Sequence, residues 1–186
     1  MKPRDYKRLI KTCYKAKVPL IALGPPGIGK TAIVYEVANE LNIDVYYLPF
    51  SSLADRTDFR IGIPSGNLMK FVYSEELPTN NKAGILLLDD ITDADKYLLS
   101  CAKSLLFERR LSKYIIPKDI SVVATGNPLH LGGLSHISEK EKTRVIIVNV
   151  DVDVDDWLEW ARKKRISEMI RAFIRYKPDA LYYNED

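Results

Sequence analysis

The sequence predicts an α/β fold: a five-stranded parallel sheet flanked by helices, followed by a short C-terminal helical appendage. Three observations predict it. Five short apolar runs alternate with segments whose apolar residues recur at helical spacing. The first run ends in a glycine-rich loop that opens a helix. After Val150 the alternation stops and amphipathic helical patterning takes over. The expected division is a sheet domain over 1–154 and an appendage over 155–186.

Each element follows from local pattern. Residues Arg4 to Ala16 place Tyr6, Leu9, Ile10 and Cys13 on one helical face. Pro19 to Leu23 is an apolar run closed by glycine, the mark of a buried strand. From Lys30 to Leu41 the residues Ile33, Val34, Val37, Ala38 and Leu41 keep helical spacing, and Asn42 ends the helix. Val45–Leu48 is the second strand. Residues 51–78, with Gly62, Pro64 and Gly66, predict irregular, hairpin-like structure. Ile85–Leu88 is a third strand, too apolar for a sheet edge. A helix over Lys96 to Glu108 buries Leu98, Leu99, Ala102, Leu105 and Leu106. Ile120–Thr125 and Val145–Val150 are the fourth and fifth strands.

In the appendage, Asp156 before Trp157-Leu158-Glu159 predicts a helix cap with an acid at the third helical position. A second helix from Ser167 is expected to bury Met169, Ile170, Phe173 and Ile174 and to stop before Pro178. Trp157 and Trp160 are expected to pack the appendage on the sheet domain.

The chain has 186 residues, 46% hydrophobic and 28% charged, which suits a globular domain and argues against disorder. No apolar run approaches the ~20 residues of a membrane span. The charged start, Met1 to Tyr6, leads into no apolar signal core, so the expected location is cytoplasmic. A net charge of +3, with the two signs interspersed, does not point to nucleic acid. Cys13 and Cys101 form no metal or redox motif and are expected as buried thiols. The absence of glutamine leans towards a thermophilic source.

The chemistry concentrates in one loop, Gly24-Pro25-Pro26-Gly27-Ile28-Gly29-Lys30-Thr31, with Ala32 following. Glycines let backbone N–H groups turn inward around phosphate oxygens. Lys30 is placed to reach the terminal phosphates and the Thr31 hydroxyl to ligate Mg²⁺. The following helix points its positive end at the anion. This pattern predicts ATP and Mg²⁺ as ligands. The third strand then delivers Asp89 and Asp90 at its carboxyl end. Asp89 is the expected metal acid. Asp90 is the expected residue orienting or deprotonating an attacking water. Asn127, in Ala124-Thr125-Gly126-Asn127-Pro128, either holds that water or simply opens an Asn-Pro turn.

Taken together, these segments resemble the MoxR-like branch of the AAA+ ATPases, within the P-loop NTPases. The resemblance rests on the phosphate loop, Asp58-Phe59-Arg60-Ile61-Gly62-Ile63-Pro64, Leu87-Leu88-Asp89-Asp90-Ile91 and Leu105-Leu106-Phe107-Glu108-Arg109-Arg110-Leu111. It extends through Val123 to Pro128 and Trp157-Leu158-Glu159-Trp160-Ala161, in family order. It implies Lys30 and Thr31 as Walker A residues, Asp89 as Walker B acid and Asn127 as sensor 1. It also implies Arg144 as an arginine finger presented to a neighbouring subunit, with Arg109 and Arg110 as the other candidates. A ring of identical subunits, expected as a hexamer, acting on a protein client follows from the same resemblance. So does a pore-facing, substrate-contacting role for Leu68–Tyr73. Where the family usually has Glu, this chain has Asp90, one methylene shorter, which predicts slow hydrolysis. The lid is short and lacks a recognisable second sensor arginine. The segment Asp58 to Gly62 is one residue longer than the family pattern.

His130 and His136 read as solvent-facing loop residues. The basic run Arg162 to Arg165 reads as a solvated helix face, with nucleic acid or an acidic partner as the alternative. Two other functions fit the motifs: a nucleotide-gated binding module with little turnover, and a small phosphotransferase.

Overall fold

The structure is a computed structural model that describes residues 1–53, 56–79, 82–127 and 137–182. In chain order it runs α1 (Pro3–Ala16), β1 (Leu20–Leu23), α2 (Lys30–Leu41), β2 (Asp44–Pro49), β3 (Arg60–Ser65), β4 (Leu68–Tyr73) and β5 (Gly84–Asp89). It continues with α3 (Lys96–Lys103), β6 (Arg110–Leu111), β7 (Tyr114–Ile115), β8 (Ile120–Gly126), α4 (Glu139–Lys142), β9 (Ile146–Asn149), α5 (Val154–Lys163) and α6 (Glu168–Tyr176). Short 3₁₀ turns fill several connections.

Five strands form one parallel sheet in the order β2-β5-β8-β1-β9. This is the expected sheet flanked by helices, and β5 is interior as its composition predicts. Its four residues Ile85 to Leu88 are fully buried because both faces of the sheet are covered. Ile85 and Leu87 pack with Tyr6, Ile10, Val34 and Val37 of α1 and α2. Leu86 and Leu88 pack with Leu98, Ala102 and Leu105 on the other side. Each such side chain contributes roughly 1.5–3 kcal/mol of burial. Cys13 and Cys101 are buried, and neither forms a disulfide.

The hairpin expected within 51–78 is present. Strands β3 and β4 pair antiparallel, closing at Ser65↔Leu68 around Gly66 at φ 61°. It projects apolar side chains outward, with Leu68 77% exposed.

The structure corrects four expectations. The helix expected over Lys96 to Glu108 is α-helical only to Lys103; Ser104–Glu108 is a π-helical turn closed by Arg109 in the left-handed conformation. One extra residue is thereby accommodated while Leu105 and Leu106 stay in the core. Asp156 does not cap its own helix. Asp153 caps α5, accepting from the Asp156 N–H, and the Asp156 carboxylate turns to α1, where the Arg4 N–H donates to it at 2.8 Å. Of the four α6 residues expected to be buried only Ile174 is; Met169 (82% exposed), Ile170 and Phe173 (53%) lie open. Trp160 is exposed too, its ring meeting the half-buried Trp157 at 45° with centroids 6.4 Å apart. Ion pairs join this region to the start of α1: Arg4 with Asp156 and Glu159, and Lys2 with Asp153 just before α5.

No helix among the described residues is long and apolar enough to cross a membrane. His130, His136 and Pro128 lie outside the described residues.

Candidate functional site

The parallel sheet brings the carboxyl ends of β1, β5 and β8 side by side, the place where open α/β sheets form ligand sites. Strand β1 runs straight into the loop Gly24–Gly29. At Gly24 the chain passes so close to β9 that an added Cβ would stand 2.5 Å from the Val150 carbonyl oxygen. The Gly24 N–H donates to the Gly126 carbonyl at 3.1 Å, tying the loop to β8. Gly27 and Gly29 take φ values of 79° and 91°, which L side chains rarely adopt. Gly29 then serves as N-cap of α2 and leaves that helix end without a side-chain cap. Pro26 and Gly27 are exposed at the loop tip, Pro25, Ile28 and Gly29 are partly buried, and Ala32 is exposed on the first turn of α2.

Lys30 is buried, and its ammonium donates to the carbonyl oxygens of Gly24 (2.7 Å) and Pro25 (2.9 Å). Burial lowers its pKa, while Asp90 and Asp89 favour its charged form. Thr31 donates its hydroxyl to Asp89 Oδ1 at 2.8 Å. Asp89 is itself buried at the tip of β5. Thus the loop lysine, the loop threonine and the strand carboxylate converge.

Asp90 follows in the left-handed conformation, φ 54° and ψ 44°, which turns the chain sharply after β5. Short polar side chains tolerate that region best. The Asp90 N–H donates to Thr125 Oγ1 at 3.1 Å. Its carboxyl pKa is raised, chiefly by burial, then by the charges of Asp89 and Asp93, with Lys30 opposing. A raised carboxylate is a stronger base. Asn127 sits just beyond β8, its N–H donating to Thr92 Oγ1 at 2.8 Å.

Arg144 lies elsewhere. It is exposed in the turn between α4 and β9, and β9 pairs Ile146 with Leu20, the first residue of β1. Arg144 is therefore at the amino end of the sheet, roughly 15–20 Å along the strand axis from the phosphate loop of its own chain. It makes no side-chain hydrogen bond or ion pair among the described residues. The other two arginines are occupied within the chain. Arg109 donates to the carbonyls of Pro117 (2.9 Å) and Ile120 (2.8 Å), and Arg110 donates to that of Ser112.

The sequence reading missed Thr125, Thr92 and Tyr47. Thr125 donates its hydroxyl to Asp89 Oδ1. Tyr47 donates its phenol to Asp89 Oδ2 at 3.2 Å, and its pKa is pushed up to about 12 by burial and by the Asp89 charge. Thr125 follows Ala124, the partner of Leu88, so the β5–β8 register that sets it beside Asp89 is a product of the fold and not of local sequence. Nothing local marked Tyr47.

The donor set fits a nucleoside triphosphate with a divalent cation. Thr31 and Asp89 offer hard oxygen donors 2.8 Å apart, the kind Mg²⁺ takes beside phosphate oxygens, and Lys30 supplies the cation for the phosphates. Comparison with known families decides the relationship: residues 19–145, more than half the chain, match the AAA domain (dynein-related subfamily). The chain belongs to the AAA family. This AAA domain is 25% identical over 138 residues to midasin of Giardia intestinalis, covering 74% of the chain and 3% of midasin. It is 24% identical over 168 residues to the replication factor C large subunit of Nanoarchaeum equitans, covering 84% and 37%. Its fold superposes on RuvB of Thermotoga maritima with a TM-score of 0.59 at 18% identity, covering 87% of the chain and 50% of RuvB. The AAA domain spans half or less of the length of each of these proteins.

Proposed function

We propose that this AAA domain binds and hydrolyses ATP with Mg²⁺, and works in a ring of identical subunits that remodels a protein client, in the manner of MoxR-like ATPases. One observation carries the reading: the Thr31 hydroxyl and the Asp89 carboxylate meet at 2.8 Å beside the buried Lys30 ammonium. Family membership supports the ATPase part.

Each residue has a separable task. The loop Gly24–Ala32 wraps the phosphates with backbone N–H groups, and the α2 N-terminus adds its positive end. Lys30 exchanges its two carbonyl partners for phosphate oxygens. Thr31 and Asp89 hold the cation. Bound Mg²⁺ supplies charge neutralisation for the phosphoryl oxygens. Asp90 orients the attacking water and accepts its proton, and Asn127 holds the same water from the β8 side. Arg144, remote from its own site, is offered to that of the next subunit in the ring.

The exposed hairpin of β3 and β4 supports a client-contacting role for Leu68–Tyr73, since Leu68, Met69 and Val72 face solvent. Residues 155–186 act as a reduced lid. The short reach of Asp90 favours a second reading, a nucleotide-gated binding module with little turnover. A steady-state ATPase assay separates the two. Turnover that requires Mg²⁺ and is lost in Lys30→Ala supports the motor, whereas tight binding without turnover supports the gate. Native mass measurement with ATP and Mg²⁺ tests the ring.

A further inference from the structure

We infer that Tyr47 is a positioning residue for the Asp89 carboxylate and, through it, for the divalent cation. The inference rests on the ATP and Mg²⁺ reading above and deepens it.

The argument is one of grip. Asp89 Oδ1 accepts from two hydroxyls, those of Thr31 (2.8 Å) and Thr125. Both donors hold the same oxygen, so by themselves they leave the carboxylate able to swing about it. The Tyr47 phenol, at 3.2 Å from Oδ2, holds the second oxygen and removes that freedom.

The donors come from opposite sides. Strand β5 lies between β2 and β8; Thr125 reaches across from β8 and Tyr47 from β2. The Tyr47 ring is itself steadied by Tyr35, with centroids 6.3 Å apart and planes at 45°. Tyr35 stands on α2 one helical turn beyond Thr31, on the same face. One threonine and one tyrosine of α2 therefore brace the two oxygens of Asp89, the first directly and the second through Tyr47. Partners that orient a metal-holding carboxylate typically change metal affinity when removed, by about tenfold or more.

The test is Mg²⁺ titration of fluorescent ATP binding to the full chain. Tyr47→Phe deletes the hydroxyl and keeps the ring against Tyr35. It is expected to raise the Mg²⁺ concentration at half-saturation about tenfold. Nucleotide affinity in EDTA should be unchanged. In the ATPase assay, saturating Mg²⁺ should restore kcat, so that the defect lies in the metal requirement. A thermal melt checks folding. Para-aminophenylalanine at position 47 keeps a donor at the same place and is expected to return the Mg²⁺ midpoint to that of the wild type; it carries the test if Tyr47→Phe melts low. A folded Tyr47→Phe with a wild-type midpoint overturns the inference, as does an aminophenylalanine variant as defective as Phe. The ATP and Mg²⁺ reading fails separately: wild-type binding would then ignore Mg²⁺, or Lys30→Ala would bind like the wild type.

Discussion

Thr31 and Asp89, 58 positions apart in the chain, are joined by a 2.8 Å hydrogen bond from hydroxyl to carboxylate. The bond spans the start of α2 and the end of β5, two elements that also pack together through Val34, Val37, Ile85 and Leu87. The same two oxygens are those a divalent cation would take, which makes Asp89 the first residue to test.

Asp89→Asn is expected to weaken the Mg²⁺ dependence of nucleotide binding by at least about tenfold, since an amide carries no charge and presents one acceptor oxygen. Affinity in EDTA should change little. Magnesium titration of a fluorescent ATP analogue measures both; an unchanged magnesium midpoint would remove Asp89 from the metal site.

Asp90→Glu is expected to accelerate hydrolysis, because the longer carboxylate comes closer to the attacking water. The left-handed backbone at this position favours the shorter acid, so the variant should melt somewhat lower. Steady-state turnover is the readout. A slower variant would show that the turn after β5 already places the shorter carboxylate correctly.

Arg144→Ala is expected to keep ATP binding and lose hydrolysis, since its charge counts chiefly in the transition state. Mixing it with Asp90→Asn subunits should recover part of the activity, because some interfaces then carry an intact arginine opposite an intact acid. Native mass measurement confirms that mixed rings form. Mixed rings without recovery would place the finger elsewhere.

Contacts at the start of α1 should matter for stability. Asp156→Ala removes the carboxylate that accepts from the Arg4 N–H at the uncapped start of α1. Loss of such a cap costs about 0.5–2 kcal/mol, which urea denaturation can resolve. The neighbouring Asp153 carboxyl lies below its ordinary value, held there by Lys2 and by the Asp156 N–H. Its folded value is depressed, so its contribution is present above the unfolded value of about 3.9 and is lost as the pH falls through both. The difference in melting temperature between wild type and Asp153→Asn should therefore shrink below about pH 4. A difference independent of pH would exclude this linkage.

Much of this was legible in the sequence for a physical reason. Strands buried on both faces read as unbroken apolar runs, as in Ile85 to Leu88, and a phosphate loop needs glycines at fixed offsets. What escaped depends on register or partners. Tyr47 and Thr125 meet Asp89 only because β2 and β8 flank β5. Asp156 has a capping sequence but serves a helix that begins more than 150 positions earlier. The period of α6 shows which face is apolar and not whether anything covers it, so Met169 and Phe173 were placed wrongly. Arg144 is a candidate through family order alone, and its distance from its own phosphate loop follows only from the strand pairing.

The central claim is that the loop at Gly24–Thr31 binds the phosphates of ATP through Lys30. Titration of fluorescent ATP against wild type and Lys30→Ala tests it most directly, with a thermal melt to confirm folding. We predict a loss of affinity greater than about tenfold, or about 1.4 kcal/mol. Equal affinity in a folded Lys30→Ala would contradict the account.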